Sequence, residues 1–197
     1  MTRNDVTVQI MLGGKSTRMG QDKALVTLGG RTLLEWAVER WQNYGGGLQL
    51  SVGSPDRAQL APEGVPAVAD IYSECGPMGG LHAGLLVCKT PLLLLAAVDC
   101  PFLSEKEAEP LVAAIGQADA CVYTIDGRPQ PLFGLYRVEC VKLAEEMLVR
   151  GENRMNGLLK QVNTVYIPVQ QETPFRNLNT PEELAEAQRT FGVFCEK

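Results

Sequence analysis

With 197 residues, 45% of them hydrophobic, the chain is long enough to bury one sizeable core, and it reads as a single domain over residues 1–197. A net charge of −5 without a block of like charge excludes a long nucleic-acid footprint. Six scattered cysteines without a C-x-x-C pair, and His82 as the lone histidine, argue against a disulfide scaffold, a zinc site and Ser-His-Asp chemistry alike.

The N-terminal Met1 to Asp5 has no apolar core of the kind a signal peptide carries, so a cytoplasmic protein with reduced thiols is expected. Val6 to Leu12 reads as a first strand, followed by a glycine-rich loop. Thr32 to Tyr44 has the apolar spacing of an amphipathic helix and ends at Gly45-Gly46-Gly47. Leu48 to Val52 is the next strand, and a proline-containing connection leads through Val65 to Ala69 into Asp70. Met78 to Cys88 reads as helix. Leu92 to Val98 is the most apolar run, far short of the roughly twenty residues that cross a bilayer, so no membrane partner is expected. Its unbroken hydrophobicity suits a strand buried on both faces.

Ser104 and Glu107 have the spacing of a capping box, opening a helix to about Ile115. Ala120 to Thr124 and Pro131 to Tyr136 read as strands, and the short turn between them suggests an antiparallel pair. Helices are expected over Val138 to Val149 and Met155 to Lys160, then a strand over Thr164 to Pro168. Thr180-Pro181-Glu182-Glu183 starts a last helix, with Thr as N-cap and Pro at its first position. This alternation predicts an α/β fold, a three-layer α/β/α sandwich around a mostly parallel, Rossmann-like sheet.

Four segments carry the chemistry. Met11 to Leu25 places two adjacent glycines after a strand, then Lys15, Arg18 and Lys23. Free backbone amides and clustered cations suit a polyphosphate. The spacing is not that of a P-loop, because Gln9 stands where the first glycine should be, nor that of the dinucleotide fingerprint G-x-G-x-x-G. Gly76-Pro77-Met78-Gly79-Gly80-Leu81-His82-Ala83-Gly84-Leu85 strips side chains from a loop and helix start, which lets a flat base approach; His82 is expected to have a structural or contact role. Asp99, in Val98-Asp99-Cys100-Pro101, ends the most buried strand and suits a hard oxygen ligand for Mg²⁺ carried on triphosphate oxygens, or a cap for the turn that follows. Asn177 and Asn179, spaced by two, point the same way on an extended segment and suit polar ligand edges, though an Asx turn and helix cap would explain Asn179 in part.

Met-Leu-Gly-Gly-x-Ser-x-Arg-Met-Gly-x-Asp-Lys-Ala-Leu over residues 11–25 resembles the signature of the molybdenum cofactor guanylyltransferases, within the wider nucleotidyltransferases. The glycine segment at 76–85, Asp-x-Pro at Asp99 and the segment from Asn177 resemble that family's other signatures, with Leu12 standing where the family usually has Ala. The resemblance implies transfer of GMP from GTP to molybdopterin-bound molybdenum cofactor with release of pyrophosphate; Gly-Gly at this point accompanies GTP use, whereas CTP-using relatives tend to carry Ala-Gly. It implies Arg18, Lys23 and Asp99 as catalytic residues, Mg²⁺ on Asp99, and a nucleotide site of Met11, Leu12, Gly13, Gly14, Lys23, Ser51, Asp70, Gly80 and Asp99. Leu12 would read the base through its backbone N–H and C=O, and Asp70 would accept from guanine or hold the ribose. Arg154, Asn177 and Asn179 are implied on the acceptor side, with weaker matches at Gln130-Pro131-Leu132. GTP and the molybdenum cofactor are the implied partners, with molybdenum-insertion proteins or molybdoenzyme chaperones as further ones. The alternatives are a relative using CTP or a sugar-phosphate acceptor, and a non-catalytic nucleotide-binding module.

Overall fold

The computed structural model describes residues 1–13 and 22–195, with side chains through residue 189. Seven strands form one sheet: β1 (Val6–Met11), β4 (Gly47–Gly53), β5 (Ala67–Ala69), β6 (Leu92–Ala97), β7 (Ala120–Ile125), β8 (Arg128–Arg137) and β9 (Thr164–Pro168). Their order is β5-β4-β1-β6-β8-β7-β9. β8 pairs antiparallel with both β6 and β7, and the other pairings are parallel. A separate two-stranded ribbon, β2 (Thr27–Leu28) with β3 (Arg31–Thr32), turns at Gly29-Gly30, where both residues have positive φ.

Alternation along each strand builds two cores, because successive side chains leave opposite faces of a sheet. On one face Val6, Val8 and Ile10 of β1, Leu92 and Leu94 of β6, and Phe133 and Leu135 of β8 pack together. They meet α1 (Leu33–Trp41), α3 (Glu105–Ala114) and α6 (Pro181–Cys195) through residues such as Leu34, Leu111 and Ala187. On the other face Met11, Leu93, Leu95, Val122 and Tyr136 pack against α2 (Pro77–Val87), α4 (Cys140–Val149) and α5 (Met155–Leu159). The result is the three-layer sandwich expected from the alternating pattern.

Helix starts follow their side chains. Thr32 Oγ1 accepts from Glu35 N while Glu35 Oε2 accepts from Thr32 N, and Ser104 with Glu107 makes the same reciprocal cap. Thr180 and Glu183 repeat it ahead of Pro181. α1 stops at Trp41, short of Tyr44, because its last turn tightens to a bond from Tyr44 N to Trp41 O. Cys75, Cys88, Cys100, Cys121 and Cys140 are free thiols. No helix among the described residues is long and apolar enough to cross a membrane.

Candidate active site

A cleft of about 620 Å³ opens beyond the carboxyl ends of β1, β4, β5 and β6, where open parallel sheets bind ligands. Met11, Leu12 and Gly13 leave β1; Ser51 and Gly53 end β4; Ala97, Val98 and Asp99 leave β6; Asp70 follows β5. Two backbone bonds carry the pairing past the strand ends and hold this floor flat, from Leu12 N to Ser51 O (3.1 Å) and from Val98 N to Met11 O (3.0 Å). The first of these corrects one expectation: the Leu12 N–H is donated to Ser51 and is not available to a base.

Lys23 and Asp99, which lie 76 positions apart, meet at the cleft. Lys23 Nζ lies 2.6 Å from Asp99 Oδ2 and 2.5 Å from Asn179 Oδ1. The two charged side chains are only 16% and 18% exposed, so their charges are poorly screened. Lys23 is presented by a short 3-10 turn, Lys23–Leu25, which Asp22 caps by accepting from Ala24 N at 3.0 Å. Asn179 is brought in by an extended segment that joins the end of β6 through Leu178 N to Asp99 O, 2.8 Å. The first-loop, Asp99 and late segments therefore share one pocket.

The opposite wall is α2, whose glycines do two jobs. Gly76, at φ +58°, has open space around the place of a Cβ and leaves the cleft clear. Gly80 and Gly84 instead let the helix lie almost on the sheet. Gln9 Nε2 donates to Gly80 O (2.9 Å), and Gln49 Nε2 donates to Gly84 O (3.1 Å) and Gln9 Oε1 (2.7 Å), all buried. A Cβ on Gly80 would stand 2.6 Å from Ser51 Oγ and 2.7 Å from Met11 Cε, two cleft residues. His82 is buried against Tyr72, ring centroids 5.3 Å apart, and burial lowers its pKa, so it stays neutral in the core.

Asp70 also lines the cleft, and its Oδ1 is buried with no hydrogen-bond partner among the described residues. Burial pushes its carboxyl from 3.8 up to about 6. Because the unfolded chain releases this proton at lower pH than the fold does, stability falls as pH rises from about 4 to about 6. Asp70→Asn should therefore be more stable than the parent at pH 7.5 by about 1 kcal/mol, after discounting for partial exposure, with a smaller gap at pH 4.5. Urea midpoints at the two pH values check this, and parallel profiles for the two proteins would contradict it.

Of the residues expected at a nucleotide site, Met11, Leu12, Gly13, Lys23, Ser51, Asp70, Gly80 and Asp99 line this cleft, as does Asn179. Leu132 does too. Gly14 and Arg18 lie outside the described residues. Two expected acceptor residues are elsewhere. Arg154 lines a separate, smaller pocket with Met147, Gly151, Glu152, Asn153 and Gly157, at the α4–α5 turn. The Asn177 amide oxygen accepts from the Cys100 thiol at 2.6 Å, outside the cleft lining. Burial, then the charge of Asp99, raises the Cys100 pKa and keeps the thiol protonated as a donor. Among the described residues no group of three or more His, Cys, Asp and Glu is placed to hold a metal. Arg57, Glu74, Gly53 and Ser54 also line the cleft and were not singled out by motif. Arg57 is the most deeply built of them, 9% exposed in the 3-10 turn Pro55–Leu60.

A cleft above the carboxyl ends of a mostly parallel sheet, with a lysine and an aspartate paired in it, suits a charged ligand such as a nucleotide. The chain belongs to the MobA-like NTP transferase domain family, whose sequence profile matches residues 8–165. It is 32% identical over 203 residues to a molybdenum cofactor guanylyltransferase of Rhizobium johnstonii, covering 96% of this chain and 94% of that one. Over 183 residues it is 35% identical to one of Cereibacter sphaeroides, covering 91% and 93%. Its fold is similar to the crystal structure of molybdopterin-guanine dinucleotide biosynthesis protein A from Archaeoglobus fulgidus, with a TM-score of 0.85 and 25% identity over 95% of this chain and 99% of that one. A 2-C-methyl-D-erythritol 4-phosphate cytidylyltransferase from Thermus thermophilus shares the fold at TM-score 0.67 and 19% identity, covering 94% and 98%.

Proposed function

We propose that this chain, as one catalytic domain over residues 1–197, transfers GMP from GTP to the phosphate of molybdopterin-bound molybdenum cofactor. A phosphate oxygen of the acceptor forms a bond to the α-phosphorus of GTP while the bond from that phosphorus to the bridging oxygen breaks. Pyrophosphate leaves with that electron pair, and the product is the guanine dinucleotide form of the cofactor. The observation that carries this reading is the contact of Lys23, Asp99 and Asn179 in the cleft. The names of the guanylyltransferase relatives support the substrate pair.

Every reacting group is anionic, so the work is charge neutralisation and positioning rather than nucleophilic catalysis. Lys23 supplies a positive charge to the triphosphate and to the pyrophosphate as it forms, and Arg18 does the same from the first loop. Gly13 and Gly14 keep that loop free of side chains beside the phosphates. Asp70, with an unpartnered buried oxygen, accepts from the donors of guanine or the ribose; Met11, Ser51 and Gly80 shape the base pocket. Asn179, held on Lys23 beside Asp99, is assigned to the acceptor.

The donor set fits magnesium. Asp99 Oδ2 already holds one cation, the Lys23 ammonium, with the Asn179 amide oxygen on the same nitrogen, and both are hard oxygens. A single carboxylate is enough, since Mg²⁺ takes one or two carboxylates plus substrate phosphates and water. When bound, the ion neutralises triphosphate and leaving-group charge. The setting is the cytoplasm, with molybdenum-insertion proteins or molybdoenzyme chaperones as delivery partners and no membrane or nucleic-acid partner.

Pyrophosphate release measured with GTP, CTP, ATP and UTP, each with Mg²⁺ and molybdenum-loaded molybdopterin, tests the reading. GTP alone should give turnover and the dinucleotide product. Preference for CTP, or turnover only with a sugar phosphate as acceptor, would assign the chain to another branch of the fold.

A further inference from the structure

We infer that Arg57 is a positioning residue for the transfer step, setting Lys23 through Asp22 while it holds Gly13 at the other flank of the loop; the inference rests on the reading above of the cleft as a triphosphate site. Arg57 lines the cleft, and an arginine there would ordinarily be read as a phosphate ligand. Its hydrogen bonds instead tie the guanidinium to protein acceptors. Nη2 lies 2.9 and 2.7 Å from the two carboxylate oxygens of Asp22, and Nε lies 3.1 Å from Oδ2. Nη1 donates to Gly13 O at 2.6 Å and to Val52 O at 2.9 Å. All three nitrogens of the guanidinium are engaged by protein acceptors here.

Of those acceptors Gly13 lines the cleft, and Asp22 caps the turn that brings Lys23 into it. Val52 belongs to β4 and gives the fork a fixed base in the sheet. Gly13 follows the end of β1, and Asp22 precedes the turn that presents Lys23. Asp22 is also the N-cap of the turn that presents Lys23, so its Oδ1 serves Arg57 and Ala24 N together. The line of contact runs from the sheet through Arg57 and Asp22 to the Lys23 turn, and from Lys23 to Asp99. The Arg57 and Asp22 side chains are 11% and 21% exposed, so the fork is not a freely solvated surface pair. A lysine at 57 keeps the charge, but it has one nitrogen and cannot reach Asp22, Gly13 and Val52 at once.

The test compares Arg57→Lys in two backgrounds, the parent protein and Lys23→Ala, with Asp22→Asn as a second route to the same break. Pyrophosphate release with Mg²⁺-GTP and acceptor gives kcat and KM, calorimetry gives pyrophosphate affinity, and thermal melting confirms that each variant is folded. In the parent background R57K should lower kcat roughly 10- to 100-fold, as expected when a charged group is displaced by about an ångström. It should also weaken pyrophosphate binding. In the K23A background the same change should cost less than about threefold, because the group it positions is already gone. D22N should follow R57K in both backgrounds. Equal fold losses in both backgrounds would make Arg57 a general stabiliser and overturn the inference, as would parent-like kcat in folded R57K and D22N. Parent protein without turnover on GTP would instead overturn the functional reading, and the inference with it.

Discussion

Lys23→Ala and Asp99→Ala should each lower the rate of GMP transfer by about 10²–10³, the loss of roughly 3–4 kcal/mol that follows removal of one group stabilising transition-state charge. The Lys23 ammonium is held 2.6 Å from Asp99 in a wall that is mostly closed to solvent. Such a charge costs little reorganisation when pyrophosphate begins to leave, whereas a freely solvated lysine would bring its own water shell. Because the two side chains act on the same phosphates and on each other, their losses should not add: the double variant should be about as slow as the slower single one. Single-turnover measurements at saturating GTP separate this from weaker binding. Near-parent rates for either single variant would remove that residue from the reaction, and full additivity would show that the two act independently. Asp99→Asn preserves shape but not charge, and it should be almost as slow as Asp99→Ala.

The strands were legible because burial on both faces leaves unbroken apolar runs, as in Leu92–Ala97, and two helix starts because Ser104 has a glutamate three residues on and Thr180 has Pro181 after it. The antiparallel β8 was legible from the short turn at Asp126-Gly127. Strand order was not, since pairing β1 between β4 and β6 is decided by contacts far apart in the chain. The ribbon at 27–32 went unread because two-residue strands leave no periodicity, although Gly29-Gly30 is a turn signal. At the site, motif spacing found the residues that leave strand ends. It missed Arg57, whose importance lies in acceptors at Val52 on β4 and at Gly13 and Asp22, the last two 44 and 35 positions away in the chain. It set Asn177 beside Asn179 because extended residues two apart share a face. The backbone bond from Leu178 to Asp99 fixes the segment so that Asn179 meets Lys23 while Asn177 meets Cys100.

The glycines of α2 were legible as small residues, but their main reason was not. Gly84→Ala should destabilise the fold by about 3 kcal/mol, at the upper end for overpacking a tight core, and lower the melting temperature by roughly 10 °C. In a helix on open ground the same change would stabilise by reducing unfolded-chain entropy, so the sign itself is diagnostic. Here a Cβ would fall inside the Gln9 carboxamide. Gln9 cannot swing aside cheaply: it is fully buried, donates to Gly80 O and accepts from Gln49, which in turn donates to Gly84 O. Moving it strands buried polar groups, each worth about 1–3 kcal/mol when unpaired. Lifting α2 instead would carry Gly80 away from Ser51 and Met11 and open the base wall of the cleft. Thermal melts and GTP affinity should therefore fall together in Gly84→Ala. Adding Gln9→Ala removes the obstructing carboxamide, so the double variant should regain part of the lost melting temperature relative to Gly84→Ala. If Gln9→Ala only adds to the damage, helix and sheet are not held apart by that carboxamide, and the close packing of α2 must be assigned to other contacts.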